Sequence, residues 1–139
     1  MTDSLQQPAT MAGTAVRDLM NSRVISITPA TSVAHAAAQM TGARVGSAVV
    51  LQGPFLAGIL TERDVLRAAA SGQDLREEPA SAWMTPDPQS APPDCPAGEA
   101  AQIMLLHGFR HLPIVDGRTV CGVVSLRDLF AARIRRPAD

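Results

Sequence analysis

Apolar residues in the first half of the chain fall into short runs and a helical stripe, separated by turn residues. Ala36, Ala37 and Met40 follow Val33 at the three-to-four spacing of a helix that buries one face, and Thr31 and Ser32 can cap it. The elements predicted in chain order are a helical turn at 16–20, a strand at 24–27, that helix ending at Gly42 and Gly46, strands at 48–51 and 55–60, and a helix from Thr61 to Ala69 ended by Gly72. The turn at 52–54 joins two adjacent strands and predicts a β-hairpin.

The second half of the chain repeats this order without a gap, at a constant offset of 64 residues from Gly58 to Gly122. Identities concentrate at turns and helix starts, which indicates an internal duplication. The identical pairs are Met20/Met84, Ser26/Ser90, Pro29/Pro93, Ala36/Ala100, Ala37/Ala101, Met40/Met104, Gly53/Gly117, Gly58/Gly122, Arg63/Arg127, Asp64/Asp128 and Ala68/Ala132. The predicted organisation is a flexible leader at 1–14, a first repeat at 15–72, a connector at 73–79, a second repeat at 80–134 and a tail at 135–139.

The second copy departs from the first at its opening strand. Residues 86–93 hold too many prolines for a central strand, so they predict an edge strand or an extended segment. The following helix, predicted from Ala97 to His107, keeps its apolar spacing.

Composition excludes several classes of function. The net charge is −1, so the basic surface that a phosphate backbone needs is absent and nucleic-acid binding is not expected. All twelve basic residues are Arg, so an anion site would be built from Arg, His, hydroxyls or backbone N–H groups. We see no signal peptide and no membrane span. Cys95 and Cys121 lack metal or redox spacing, which favours reduced thiols and a cytoplasmic protein.

The repeated stretches Gly58–Asp64 and Gly122–Asp128 carry the candidate chemistry. Each has a strand end, then a hydroxyl residue (Thr61 or Ser125), then an acid three positions later at the start of a helix. This spacing is also that of a capping box, in which the two side chains satisfy backbone N–H groups and need no ligand. The motif alone therefore supports either a helix cap or a ligand site.

Taken together, these features resemble the cystathionine-β-synthase (CBS) domain in its tandem form, the Bateman module. The matching residues are the Met20 and Met84 segments, the strand 110–115 (RHLPIV) and the two G-x-x-[T/S]-x-x-D stretches. The resemblance covers most of the chain and leaves no room for a catalytic domain within it. It implies a mixed α/β (α+β) fold of two β-α-β-β-α repeats packed about a pseudo-twofold axis, with two related clefts.

The resemblance also implies a ligand. In the family the acid contacts the ribose hydroxyls of an adenosyl compound and the hydroxyl residue contacts phosphate, which assigns these roles to Asp64 with Thr61 and to Asp128 with Ser125. A carboxylate can accept from both ribose hydroxyls, and a helix N-terminus favours phosphate. The expected ligands are AMP, ADP, ATP, S-adenosylmethionine or NADH.

Residues at the start of the hairpin are further candidates. Arg110 and His111 occupy a place that the family often uses for phosphate, whereas the first copy has Gly46 and Ser47 there, so the two sites should differ. Arg110 and His111 could equally be solvent-exposed residues at the start of a strand. Arg63 and Arg127, inside the motifs, are either charge donors to the ligand or ordinary surface residues.

Other conspicuous residues give weaker evidence of a functional site. His107 and His111 are four apart, but Gly108 should break the helix between them, so no metal site is expected. His35 should be solvated, and Arg133, Arg135 and Arg136 suit a helix C-terminus. Trp83 is either a packing residue or a lid over a ligand.

Arrangements typical of catalysis are missing from the sequence, so we do not expect an enzyme or a catalytic cofactor. The sequence predicts a regulatory sensor that binds an adenosyl small molecule, forms a homodimer through its helices and controls an unknown protein. The alternative is a ligand-free structural dimer in which both motifs are only helix caps.

Overall fold

The computed structural model describes residues 13–135, with side chains in the last helix up to residue 132. The predicted leader lies almost wholly outside these residues, as does the tail, and so do the side chains of the terminal arginines. The described chain forms two compact units. Residues 23–88 make one, here called the Asp64 unit, and the residues up to Ser22 together with those from Gln89 make the other, the Asp128 unit.

The Asp64 unit is a four-stranded sheet with two helices. Its elements are β1 (Ser26–Ile27), α1 (Val33–Ala43), β2 (Ser47–Gln52), β3 (Phe55–Thr61), α2 (Glu62–Ala70) and β4 (Thr85–Pro86). The strand order is β1-β2-β3-β4, with β1 parallel to β2 and the other neighbours antiparallel. Aliphatic side chains from the sheet and α1 form the core, including Ile27, Met40, Val50 and Leu60.

The Asp128 unit repeats this topology with shorter flanking strands. It contains α3 (Ala97–His107), the antiparallel hairpin of β5 (His111–Asp116) and β6 (Thr119–Ser125), and α4 (Leu126–Arg135). Single bridges from Ala91 to Ile114 and from Asn21 to Val123 replace β1 and β4. The hairpins match residue for residue, including a register shift after Val50 in one and after Ile114 in the other.

Each unit contains the leading segment of the other sequence repeat. Val16 at the start of the first repeat donates its N–H to the Cys95 carbonyl of the Asp128 unit, 2.9 Å away. A Cβ on Gly122 would overlap Met20 of this segment, and a Cβ on Gly58 would likewise overlap Met84 in the Asp64 unit. The Met and Gly identities between the repeats therefore mark one packing contact, made twice.

Most predicted elements are confirmed, and one helix end was predicted wrongly. Helix α1 runs through Gly42 to Ala43 and ends at Arg44, which takes a left-handed conformation with φ 59°. Its N–H donates to the carbonyls of Met40 and Thr41, so the backbone closes the helix without a glycine. In the second copy Gly108, with φ 78°, stands at this position.

The predicted strand at 24–27 is reduced to Ser26–Ile27. Of residues 86–93, Pro86 ends the edge strand β4, and a single bridge at Ala91 takes the place of the second copy's opening strand, which confirms an extended segment there. The mixed α/β class is confirmed. None of the helices in the described range is both long enough and apolar enough to cross a membrane.

Candidate functional site

The end of the hairpin and the start of the helix meet at one place in the Asp64 unit. Ser47, the first residue of β2, is paired with Thr61, the last residue of β3. The N–H of Glu62 donates to the Gly46 carbonyl at 3.0 Å, which ties the first turn of α2 to the chain entering β2. Directly paired residues point to the same face of a sheet, so Ser47 and Thr61 are neighbours beside the first turn of α2.

Thr61 and Asp64 form the capping box that their spacing predicts. The N–H of Asp64 donates to Thr61 Oγ1 at 3.4 Å, and the N–H of Thr61 donates to Asp64 Oδ2 at 2.8 Å. The Thr61 hydroxyl donates to the same Oδ2 at 3.1 Å. Asp64 is only 6% exposed, so these bonds satisfy a carboxylate that has lost most of its water.

The second oxygen of Asp64 is occupied by a residue that the sequence reasoning missed. Arg67 Nη1 donates to Asp64 Oδ1 at 2.9 Å. The Arg67 guanidinium carbon lies 5.4 Å from the centre of the Trp83 ring, and Trp83 Nε1 donates to Glu78 at 2.9 Å. The spacing of three residues on a helix could have indicated Arg67. The contact with Trp83 depends on tertiary structure, and the ring also packs against the core of the unit.

Ser47 is buried to nearly the same extent as Asp64. It is 7% exposed, and its hydroxyl makes no hydrogen bond to any group that the structure describes. A buried hydroxyl without a partner costs about 1–3 kcal/mol, so native proteins seldom keep one without a reason. This position beside Thr61 can therefore supply one donor to an acceptor that is not part of the described chain.

The Asp128 unit has the same arrangement with different side chains. His111 is paired with Ser125, and the Leu126 N–H donates to the Arg110 carbonyl at 2.9 Å. The N–H of Asp128 donates to Ser125 Oγ at 3.0 Å, and the N–H of Ser125 donates to Asp128 Oδ2 at 2.9 Å. This is again a reciprocal capping box.

Asp128 differs from Asp64 in exposure and in its remaining contacts. It is half-buried, and no residue of the described chain donates to its Oδ1. Ala131 stands at the position of Arg67, so the second copy has no equivalent cation. The outer edge of this carboxylate can accept further hydrogen bonds.

The three candidate arginines lie at the surface. Arg63 and Arg127 follow the first residue of their helices, are exposed, and form no ion pair with a described residue. Arg110 is exposed and is tied to the helix start through its backbone. The structure thus brings Ser47, Thr61 and Asp64 together, and His111, Ser125 and Asp128 together, with the arginines at their edges.

Gly108 ends helix α3, as predicted, and separates His107 from His111. The His107 ring stacks on Phe109 with centres 5.8 Å apart. Within the described part of the chain, no three His, Cys, Asp or Glu residues cluster as metal ligands would. His35 is exposed on α1, as predicted, with Gln39 Nε2 2.8 Å from its Nε2.

Comparison with known proteins agrees with this geometry. The CBS-domain family model matches residues 16–71 and again 80–135. The CBS domain-containing protein YhcV of Bacillus subtilis is 36% identical over 116 residues, covering 83% of this chain and 82% of that protein. A putative signal-transduction protein with CBS domains from Burkholderia ambifaria superposes with a TM-score of 0.83 at 26% identity, covering 91% of this chain and 98% of the other.

A further solved structure shares the fold at lower identity. It is a CBS-domain pair in complex with 5′-methylthioadenosine and S-adenosyl-L-methionine, with a TM-score of 0.77 and 24% identity, covering 85% of this chain and 94% of that one. The duplicated hairpin and helix, the matched motifs and the family model lead to one conclusion. The protein belongs to the CBS-domain family and carries two CBS domains in tandem.

Proposed function

We propose that the protein is a non-catalytic sensor that binds an adenosyl ligand at the end of the hairpin in one or both units. The observation that carries the proposal is the Asp128 carboxylate. It is fixed by the Ser125 N–H through Oδ2, half-exposed, and without a hydrogen bond from the described chain at Oδ1. A carboxylate fixed in this way can accept two hydroxyl hydrogens from a ribose.

The surroundings of Asp128 suit the rest of a nucleotide. Ser125 and the paired His111 lie next to the N-terminus of α4, where the helix dipole favours an anion. Exposed Arg110 and Arg127 add positive charge beside them. In the Asp64 unit, the Ser47 hydroxyl, which has no hydrogen-bond partner among the described residues, supplies a corresponding donor. The solved CBS-domain pair with two bound adenosyl compounds supports this ligand class.

A specific observation also favours the alternative, a structural protein without a ligand. Both motifs form complete capping boxes, and each cap alone accounts for a stabilisation of about 1 kcal/mol. The two hypotheses differ in what they predict for added ligand.

The deciding experiment is thermal unfolding of the wild type and of Asp128→Ala with AMP, ADP, ATP, S-adenosylmethionine and NADH. A ligand at a hundred times its Kd should add about 2.7 kcal/mol to the free energy of unfolding of the wild type. The Asp128→Ala variant should lose that gain. A 2′-deoxy analogue of the active compound serves as the control, because it lacks one of the two hydroxyls from which Asp128 is expected to accept a hydrogen bond. An unmoved midpoint with every compound would leave only the structural hypothesis.

We also infer a homodimer that uses the helices of the Asp128 unit. Leu105 and Leu106 on α3 are 64% and 81% exposed, and Phe130 on the adjoining α4 is 45% exposed. The first copy has polar Thr41 and Gly42 in place of the two leucines. Three large apolar side chains exposed on two adjoining helices are typical of an interaction surface.

Sedimentation velocity tests this inference. Leu105→Glu should shift the protein from dimer to monomer, whereas the matched change Thr41→Glu should not. A wild-type monomer would contradict the inference. A ligand that prefers one assembly would shift its population by the difference in affinity, which is how a sensor without chemistry could report to a regulated protein.

A further inference from the structure

The contact between Arg67 and Asp64 gives the two sites different numbers of free hydrogen-bond acceptor positions. Arg67 Nη1 lies 2.9 Å from Asp64 Oδ1, and the guanidinium is held over the Trp83 ring at 5.4 Å from its centre. Trp83 is in turn held by Glu78 through its indole N–H. The Asp128 unit has Ala131 in place of Arg67 and Leu19 in place of Trp83, so neither part of this arrangement is repeated.

The number of free acceptor positions differs between the two carboxylates. An ionised carboxylate offers about four lone-pair positions, two on each oxygen. At Asp64 the Oδ2 atom accepts from the Thr61 N–H and hydroxyl, and Oδ1 accepts from Arg67, which leaves one position. At Asp128 only Oδ2 accepts from the described chain, once, from Ser125, which leaves three. A vicinal diol donates two hydrogens, so Asp128 can accept both and Asp64 cannot while Arg67 is bound.

We propose that Arg67 is a specificity-determining residue that closes the Asp64 carboxylate to a vicinal diol, so that a nucleoside ligand fills the Asp128 site first. The Asp64 site takes up the diol only when the guanidinium leaves Oδ1. This inference rests on the proposed function, because it concerns the same ligand and the same two acids.

Release of Arg67 has a second consequence inside the Asp64 unit. One side chain makes both contacts, so we expect a guanidinium that leaves Asp64 to change its contact with the face of Trp83 as well. Trp83 is the single tryptophan of the protein, so its fluorescence reports on this site without interference from another indole. Occupancy of the Asp64 site should change Trp83 emission, and Glu78 and Trp83 connect that event to the segment between the repeats.

The test is calorimetric titration with AMP, ATP and S-adenosylmethionine, each of which carries a ribose diol, on the full chain and on variants at Arg67, Ala131, Asp64 and Asp128. The wild type should bind about one equivalent per chain tightly. Arg67→Ala and the longer Arg67→Gln should gain a second equivalent, with affinity at the Asp64 site raised about fivefold to tenfold, as expected for loss of one charge-assisted, partly exposed hydrogen bond. Ala131→Arg places the cation three residues after Asp128 and should weaken the first equivalent by a similar factor.

Fluorescence titration supplies the readout that a merely structural role would not change. In the wild type, Trp83 emission should respond only at ligand concentrations well above those that fill the first site. Arg67→Gln should emit differently before ligand is added and bring the second binding step to lower concentration. The 2′-deoxy form of AMP should bind the wild type and the Arg67 variants with more similar stoichiometry.

The outcomes separate this inference from the proposed function. Equal stoichiometry and affinity in the wild type and both Arg67 variants would overturn the role of Arg67 while leaving the sensor intact. The same holds if Asp64→Ala, and not Asp128→Ala, removes the first equivalent. Absence of binding to every protein would overturn both proposals.

Discussion

The sites around Asp64 and Asp128 share a backbone and differ in how their acids are used. The hairpins agree residue by residue, and each acid completes a capping box with a hydroxyl residue at the strand end. Asp64 is 6% exposed and bonded on both oxygens, whereas Asp128 is half-buried and bonded to the described chain on one. Duplication has thus kept the framework, while the side chains around it give the two acids different exposure and different hydrogen-bond partners.

This difference separates two roles that one motif can have. A carboxylate whose oxygens are all satisfied within the protein acts mainly as a structural group, because any new partner must displace an existing one. A carboxylate with a free edge can cap its helix and bind a ligand at the same time. The same sequence pattern therefore predicts stability in both copies, and immediate ligand binding in the second copy more than in the first.

The largest loss of stability is expected when the glycine of each motif is replaced by alanine. A Cβ on Gly58 would overlap Met84 and come within 2.9 Å of the Thr85 carbonyl oxygen, so the edge strand β4 would have to shift. On Gly122 the closest atoms belong to the flexible Met20 side chain, and the Asn21 carbonyl oxygen is 3.1 Å away. Gly58→Ala should cost about 2–3 kcal/mol and Gly122→Ala about 1 kcal/mol in urea unfolding.

The double variant Gly58→Ala with Met84→Ala tests the cause of that loss. It removes the sulfur contact and leaves the carbonyl contact, so the coupling between the two changes should recover part of the loss. Equal costs at Gly58 and Gly122 would mean that the two close approaches are equivalent.

The next largest loss of stability is expected when the two acids are replaced. Asp64→Ala removes the acceptor of the Thr61 N–H and hydroxyl and the partner of Arg67. It should cost about 2 kcal/mol, whereas Asp128→Ala, which loses one backbone hydrogen bond, should cost about 1 kcal/mol. Asp64→Asn and Asp128→Asn keep the shape and isolate the charge. A larger loss at Asp128 would contradict the division of roles, since that acid would then be the main structural one.

Individual residues show how much of the difference between the two sites the sequence could predict. The offset between the copies predicted the hairpin, the helix starts and both capping boxes, because those depend on residues close together in the chain. His111 was a candidate through the family resemblance and Ser47 because it aligns with His111, and the strand register pairs each of them with the hydroxyl residue of its motif.

Three features were not predicted from such local patterns. That Met84 packs on Gly58, and Met20 on Gly122, could not be predicted from the alignment, because identical residues in two repeats do not say which pairs meet. The end of α1 was missed because Arg44 adopts a left-handed conformation that glycine usually takes. The Arg67 contact was available from helix spacing, but its support by Trp83 required the folded unit.

A smaller effect is expected where the first helix of each copy begins. Ser32 caps α1, with its hydroxyl accepting the His35 N–H at 3.1 Å, whereas Pro96 at the start of α3 offers no side-chain acceptor. Ser32→Ala should cost about 1 kcal/mol, and Pro96→Ala less than half of that. Thermal unfolding of the two variants measures the difference, and Ser32→Thr is the control that keeps a hydroxyl. No loss on Ser32→Ala would show that the cap adds nothing beyond the backbone contacts of α1.

The smallest effect concerns Cys95, which stands where the first copy has Thr31. Burial raises the pKa of the Cys95 thiol, and the nearby acids Glu99 and Asp94 act in the same direction. Because the folded pKa lies above the unfolded value, the contribution of this thiol to stability is constant at neutral pH and is lost as the pH rises above the ordinary thiol range. Cys95→Ala should therefore lose less stability than the wild type between pH 7 and pH 10.

Alkylation gives the matching measurement on the native protein. Iodoacetamide should modify the half-buried Cys121 before Cys95, because Cys95 is only 5% exposed and its thiolate is disfavoured. Cys121→Ala is the control that leaves Cys95 as the reacting thiol. Faster modification of Cys95, or equal pH dependence of the wild type and Cys95→Ala, would mean that Cys95 gains water and loses its buried position in solution. Cys95 would then differ from its counterpart Thr31 in exposure to solvent. The second copy would be more open to solvent than the first at two places, the start of α3 and Asp128.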